Sequence, residues 1–318
     1  MGFSLNRFYA ALGISKQSVH KSLERYFKRK EEHMQILKLV YDIRQDHPTM
    51  GLRDMYYKLN PTSLGRDAFE RLCKSNNLMS KMPKNHQRTT DSSGVIRFEN
   101  LLENATITDM DLVWQSDITY YDLNGVFYYI TFIIDAYTRR IVGHKTSKRL
   151  LTEQTSLPAL QMALKTRKNK DVKGLVFHSD GGGQYYDKAF LELTKLHEIK
   201  NSMCEYAWEN GKAERINGVI KNNYLKHRNI NNYSDLVREV DRSVALYNQE
   251  KPHIELKRKS PITFEKELIY LKRQKKLRMT ESFDAKHQIY GASSPNKSEQ
   301  TKYRNQDVLS AIHCALRK

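Results

Sequence analysis

The sequence predicts an α/β fold, a mixed β-sheet flanked by helices, with an all-helical basic region before it and a basic helical tail after it. Three observations predict it. Apolar residues recur at helical spacing through the first eighty positions, β-branched and aromatic runs take over at Leu112, and residues 257 to 278 carry nine Lys and Arg against two Glu.

Residues 1 to 30 read as short helices. Phe8, Leu12, Ile14, Val19 and Leu23 are apolar near helical spacing, with Gly13 as the turn and Ser15 as N-cap. AALGISKQSVHKSLER looks like a helix-turn-helix whose second helix shows Lys16, Gln17, His20 and Lys21 to a DNA groove; these side-chain types bind phosphates and base edges. A solvated basic helix on a small bundle fits the same pattern. Residues 31 to 80 form a second helical unit, with KEEHMQILKLVYDIRQDHP as an amphipathic helix ended near Pro48, a short helix opened at Gly51, and GRDAFERLCKSNN as another. With 18 Lys and Arg against 10 Asp and Glu in residues 1 to 100, this region suits holding DNA. Residues 81 to 107 have the polar, irregular pattern of a linker.

A core of domain size spans residues 108 to 268. LVWQSDITYYDL and VFYYITFIIDAYT flank Asn124-Gly125, a strong hairpin signal, and RRIVGHKTS follows as a third strand. A helix from about Thr152 to Thr166, the strand GLVFHSD and the helix DKAFLELTKLHE come next, so the sheet must be mixed. Residues 269 to 318 form the basic tail. The run from 257 to 278 would grip phosphates without reading sequence, or be a solvated helix; from about Thr280 to Gln306 the chain reads as flexible, with VLSAIHCALRK as a short terminal helix.

With 318 residues the chain exceeds the usual size of one compact domain. Its 54 Lys and Arg against 36 Asp and Glu, a formal charge of +18, point to nucleic acid as partner. A membrane is excluded as a place to span, since the longest apolar run, Val126 to Ile134, falls short of roughly 20 residues. The start, MGFSLNRFYAALG, lacks the features of a signal peptide, and Asn6 stands where a myristoylation motif wants a hydroxyl, so a cytoplasmic, nucleoid-associated protein is expected. Cys73, Cys204 and Cys314 are far apart and include no C-x-x-C, which leaves neither a disulfide framework nor a Cys-rich zinc site.

Against this basic background, Asp117 and Asp180 each end a strand-like run, VWQSD and LVFHSD, and Glu214 follows on a helix. Acids meant to lie together raise one another's pKa unless a cation neutralises them, and two magnesium ions would do so. That constellation suggests phosphodiester chemistry.

VWQSDITY, FYYITFIIDAYTRRIVG, LVFHSDGGGQY, ENGKAERINGVIKNNYL and YNQEKPHIELKRKSPITFE, in this order, resemble the retroviral-integrase-like catalytic core of transposases of the insertion-sequence-three family, over roughly residues 108 to 268. The preceding helices resemble that family's second reading frame. The resemblance implies a ribonuclease-H-like fold with a five-stranded sheet and a D-D-E triad carried by Asp117, Asp180 and Glu214. Thirty-three residues separate Asp180 from Glu214, against about 35 in the family, and the missing two fall in the loop SMCEYAWENG. Two metals could activate a water or 3'-hydroxyl and stabilise the leaving oxygen, with Asp117 bridging both ions and Asp180 and Glu214 each holding one. Hard oxygen ligands suit Mg²⁺, with Mn²⁺ as a substitute.

Glu205 and Glu209 compete with Glu214 as third acid. Ala213, Ile216 and Ile220 mark a buried helix side, and Glu214, Asn217, Gly218 and Lys221 line the neighbouring stripe, which favours Glu214. Gly218 would admit a close backbone, and Lys221 sits where related integrases use a lysine on the DNA end. Asn217, Gly218 and Lys221 are therefore expected to bind DNA. Asp135 reads as the cap of the turn before Arg139 and Arg140, His178 as either an orienting group or a satisfied histidine, and Trp114 and Trp208 as residues that could stack on a flipped base, although Trp114, on a strand next to Asp117, fits the core better.

The function implied is a DDE transposase that binds double-stranded DNA at the ends of its element, frees a 3'-hydroxyl and joins it to target DNA, as a homo-oligomer and with a possible upstream reading-frame fusion partner. The alternatives are a non-catalytic or fusion-dependent accessory protein and a ribonuclease-H-like nuclease.

Overall fold

No glycine or proline interrupts residues 16 to 46, and they form one 31-residue helix. The computed structural model describes residues 4–80, 98–103, 105–168, 172–204 and 207–290, with side chains as far as residue 275. The chain divides after Glu265 into two units. In the first, α1 (Leu5–Ala11) leads through Gly13, at φ +64°, into α2 (Lys16–Asp46), and Ser15 caps α2 by accepting from Ser18 N–H at 3.0 Å. The boundary expected at residue 30 thus falls inside a continuous helix.

A small bundle around Phe8, Leu12, Ile14, Val19 and Leu23 is not formed. Phe8, Leu12, Ile14 and Leu23 are exposed and Val19 is only half-buried. Two turns of α1 are too short to cover the apolar stripe of α2. The second half of α2 behaves differently: Ile36, Val40 and Ile43 bury against Met55 of α3 (Leu52–Leu59) and Phe69 and Cys73 of α4 (Arg66–Ser75).

The core begins with β1 (Val113–Leu123) and β2 (Val126–Asp135), antiparallel across a two-residue turn in which Asn124 and Gly125 both have positive φ, 55° and 83°. β3 (Ile141–Ser147) adds antiparallel to β2. After α5 (Ser156–Thr166), β4 (Val176–Ser179) pairs parallel with β1, and after α6 (Lys188–Leu196), β5 (Lys200–Met203) pairs parallel with β4. The order β3-β2-β1-β4-β5 is the mixed five-stranded, ribonuclease-H-like sheet.

Strand alternation sorts the core into two faces. Trp114, Ile133 and Phe177 point to α5 and α6, packing with Leu160, Ala163 and Phe190. Ile130, Phe132 and Ile134 point the other way, onto α7 (Gly211–Val219) and α8 (Tyr233–Glu250), with Ile216, Val240 and Tyr247.

Asp135, fully buried, caps the β2–β3 turn as the pattern predicts, accepting from Tyr137 N–H at 3.0 Å and Thr138 N–H at 2.7 Å. Arg167 lies 3.7 Å from it and ion-pairs with Asp111 and Glu265, both at 2.6 Å. Glu265 belongs to α9 (Pro261–Tyr290), so this cluster holds the helix start to the sheet.

The helical unit is docked on the core through polar contacts. Buried His47 joins Tyr224 Oη at 3.1 Å and Glu250 at 3.2 Å, Lys58 donates to Glu250 at 2.6 Å, and Arg228 donates to the carbonyls of Gln45 and Asp46 at 2.8 and 2.9 Å.

In the second unit, from Lys266, the described chain is the continuation of α9 to Tyr290. The expected boundary at residue 268 lies within this helix, and the flexible stretch expected from Thr280 is helical as far as Tyr290. No Gly or Pro occurs between Ile262 and Tyr290, and Gly291 follows. The terminal helix VLSAIHCALRK and most of the linker lie outside the described residues. Among the described residues no helix is long and apolar enough to cross a membrane.

Candidate active site

Strand register brings two of the three acids side by side. Ser116 of β1 pairs with Ser179 of β4, so Asp117 and Asp180 are the next residues on two parallel neighbours. Alternation turns both toward the α7 face, since Trp114 and Phe177, three residues before each, face α5 and α6. Asp117 is at the middle of the sheet, paired on its other side with Phe132 of β2.

The helix α7 supplies the rest. Ala213 and Ile216 are buried, as is Ile220 just beyond, which leaves Glu214 exposed in the first turn. Asn217 Nδ2 donates to Asp117 Oδ2 at 2.6 Å. Lys221 Nζ donates to Thr119 Oγ1 at 3.1 Å and lies 5.0 Å from the Tyr120 ring centroid. Asn217 and Lys221, four apart, therefore meet Asp117 and Thr119, two apart on one strand face, and α7 must run along β1. The stripe is not one regular helix throughout: α7 ends at Val219, and residues Ile220–Tyr224 make a π-helical turn.

Electrostatics tie the acids together. The Asp117 carboxyl is pushed up to about 7, first by burial, then by the charge of Asp180 and also by that of Glu214; the Ile118 N–H and Asn217 pull it partly back. Burial also raises Asp180, against the pull of the Gly182 N–H, which donates to it at 3.3 Å. Glu209, the rival third acid, bears on His178 and Cys204 instead. Glu205 and the side chain of Trp208 lie outside the described residues.

The remaining predicted residues divide. Lys16, Gln17, His20 and Lys21 are all exposed on the first turns of α2. Gly218 is half-buried, but a Cβ there would meet only Asn222 Nδ2 at 4.0 Å, so no neighbour in this chain requires a glycine. Lys221 is engaged with the protein, and burial lowers its pKa. Trp114 is core, as its pattern implies. His178 is buried, its Nδ1 2.9 Å from Ser202 Oγ and its Nε2 without a partner; burial drives its pKa down to about 4.

Sequence reasoning missed Asn210 and Tyr185. Asn210 Nδ2 donates to the Ser116 carbonyl at 2.8 Å, tying the start of α7 to the peptide before Asp117. Tyr185 Oη meets Ser116 Oγ at 2.8 Å from the opposite face. The signals were an Asn-Gly at a helix start and a Tyr after the glycines, both present in quoted motifs without an assigned role. Among the described residues both thiols are buried, and burial pushes Cys73 up to about 11 and Cys204 up to about 12, away from the thiolate form.

Two family models match, both described as Integrase core domain, over residues 108–207 and 197–261. The chain is 30% identical over 244 residues to the uncharacterized 31 kDa protein of insertion element IS600 from Shigella sonnei, covering 74% of this chain and 88% of that one. It is also 35% identical over 106 residues to Transposase InsF for insertion sequence IS3A of Escherichia coli strain K12, covering 33% of this chain and 36% of the relative. The chain belongs to the insertion-sequence-three family of transposases. Among solved structures this transposase is similar to the HTLV-2 integrase catalytic core domain in complex with magnesium, at 20% identity and a TM-score of 0.38, over 48% of this chain and 92% of that one.

For this family member, the matched span covers all five strands, Asp117 and Asp180 in the first model, and α7 with Glu214 in the second. The 31-residue α2 lies before it. Among the described residues no group of three or more His, Cys, Asp or Glu could hold a metal ion.

Proposed function

We propose that the chain catalyses metal-dependent cleavage of DNA strands at the ends of an insertion sequence and joins the freed 3'-hydroxyl to target DNA. The observation that carries this reading is the adjacency of Asp117 on β1 and Asp180 just past the end of β4, with the charge of Glu214 reaching Asp117 from α7.

Asp117, Asp180 and Glu214 would hold Mg²⁺, with Mn²⁺ able to replace it. Their oxygen donors suit a hard cation, and a carboxyl pushed up to about 7 by burial and neighbouring acids is one whose ionisation a cation would favour. Bound there, two such ions would supply Lewis acidity on both sides of an in-line displacement at phosphorus.

The chain's own residues prepare that displacement. Asn217 fixes one oxygen of Asp117, and Asn210 fixes the peptide that carries it, so the carboxylate is oriented before DNA arrives. Lys221 holds a positive charge beside Thr119, on the same strand face, where an incoming DNA end can exchange with the hydroxyl. Lys16, Gln17, His20 and Lys21 are free to meet a groove or backbone, and Asn217 and Gly218 line the approach to the acids. The work is done where the DNA is, in the cytoplasm at the nucleoid, by a homo-oligomer that brings two ends together.

One observation favours a second reading, an accessory or fusion-dependent protein. Glu214 is exposed in the first turn of α7, and among the described residues no group of three or more acids is placed to hold an ion, so the site would be completed by bringing Glu214 in. An upstream reading-frame partner or bound DNA would supply that closure.

The test is to incubate the full chain with labelled element-end DNA and Mg²⁺ or Mn²⁺ beside Glu214→Gln. Nicks at 3' ends and joined strands, absent with the variant, are expected. Binding without products moves the chain to the accessory role, and nicked RNA in hybrids would make it a nuclease.

A further inference from the structure

The long helix α2 has two apolar sides, and this chain covers one of them. Ile36, Val40 and Ile43 turn toward α3 and α4. At 3.6 residues per turn, Leu23, Phe27, Met34 and Tyr41 share a single line along the opposite side. They are 46%, 60%, 64% and 53% exposed. Phe27 is already held by Tyr26, edge-on with ring centroids 5.6 Å apart. Single exposed hydrophobics are ordinary, but a continuous stripe of large side chains marks an interaction surface.

The middle of the stripe is charged. KRKEE, residues 28 to 32, sets three cations before two acids, and Lys30 and Glu31 flank the line from Phe27 to Met34. Lys28, Arg29, Lys30 and Glu31 are exposed and Glu32 is half-buried; among the described residues none of the five is ion-paired. Such a sequence complements itself when reversed. In an antiparallel pair with its two-fold axis between Lys30 and Glu31, Lys30 of one copy meets Glu31 of the other, and Phe27 meets Met34, a sulfur–aromatic contact. Leu23 then meets the aliphatic stem of Lys38. A parallel pair in register sets cations on cations and acids on acids, which repel. The area also suffices. A large side chain buries about 150–250 Å² when covered, so two half-exposed stripes put on the order of 800 Å² out of water. Flanking charged side chains bring the contact to about 1,200 Å², where specific interfaces begin.

We infer that the outer side of α2 is a homodimer seam, covered by a second copy of this chain lying antiparallel and centred between Lys30 and Glu31. The inference deepens the homo-oligomer of the proposed function and rests on that reading for its purpose, but the seam itself needs neither DNA nor metal. His47 and Arg228 fasten the C-terminal end of α2 to its own core. An antiparallel pair sets these ends at opposite ends of the seam, so the two cores stay apart and each presents its own acids to one DNA end.

The experiment is sedimentation equilibrium of the full chain without DNA or metal, at moderate ionic strength. Wild type is expected to be dimeric. Lys30→Glu places an acid opposite Glu31, and Glu31→Lys places a cation opposite Lys30, so each alone should weaken self-association on the order of ten-fold. The double variant, Lys30→Glu with Glu31→Lys, restores opposite signs and should associate like wild type. Phe27→Ser with Met34→Ser should be monomeric; both side chains are exposed, and an unchanged far-UV circular dichroism spectrum checks that the chain remains folded. A monomeric wild type, a serine pair that dimerises like wild type, or a double variant no better than the single ones overturns the seam. A monomeric wild type that cleaves DNA overturns the seam alone. A dimer that follows the charge pattern yet yields no DNA products supports the seam and overturns the proposed function.

Discussion

At the residue scale, the properties of Asp117 come from its place in the sheet. A carboxyl raised to about 7, from its ordinary 3.8, binds its proton more tightly in the folded chain than in the unfolded one. The stability this contributes is full below about pH 4 and is lost as pH rises through about 7. Above that, the buried charge opposes folding, so Asp117→Asn without metal should melt several degrees above wild type at pH 8 and level with it at pH 4. Differential scanning calorimetry at the two pH values checks this, and coincident melting at pH 8 would show that the carboxylate is not destabilised. Mg²⁺ should raise the melting temperature of the wild type at pH 8 and leave the variant where it was. Both aspartates stood out as candidates because each closes a β-branched and aromatic run in the sequence, although Asp117 lies inside β1 and Asp180 just past β4; the partners that tune them did not stand out. Asn210 and Tyr185 are distant in sequence from β1 and meet Ser116, the residue before Asp117, only because β1 is the central strand.

At the element scale, the sheet needs α5 to lie close against β3, and Gly143 is the residue that permits it. A Cβ at that position would fall 2.2 Å from the Ala159 carbonyl oxygen and 3.0 Å from Ala163 Cβ, both on α5. The obstacle is backbone, so it cannot swing away. Gly143→Ala should therefore cost about 1–3 kcal/mol or more by overpacking. Chemical denaturation reads this directly, and a variant as stable as wild type would mean that α5 can shift without loss. The helices α3 to α6 and the hairpin were all legible, because capping residues, turn residues and periodicity agreed on them. The failures were at places where an element continued: α2 past residue 30, α9 past Thr280. Both runs are polar and of low apolar contrast, yet they lack any breaker, and absence of a breaker proved the better guide.

At the scale of the whole molecule, the helical unit and the sheet are joined by a small set of polar contacts. Arg228 is central among them, since its guanidinium donates to the last carbonyls of α2, at Gln45 and Asp46. Arg228→Ala leaves those carbonyls without this partner. It should lower hydrogen-exchange protection across residues 36 to 78 more than across β1 and β2, whose own ladder is untouched. Equal protection in both regions would show that His47, Lys58 and Glu250 suffice for docking.

The sequence by itself determined the family resemblance, the hairpin and the helices α3 to α6, and singled out Asp117 and Asp180 as candidate acids, because these depend on local periodicity and on motifs read along one chain. Tertiary structure alone decided which residues support Asp117 and that the apolar face at the start of α2 goes uncovered. The physical reason is the same in each case. Burial and charge pairing depend on neighbours far apart in sequence, and no local pattern records which of them the fold will bring together.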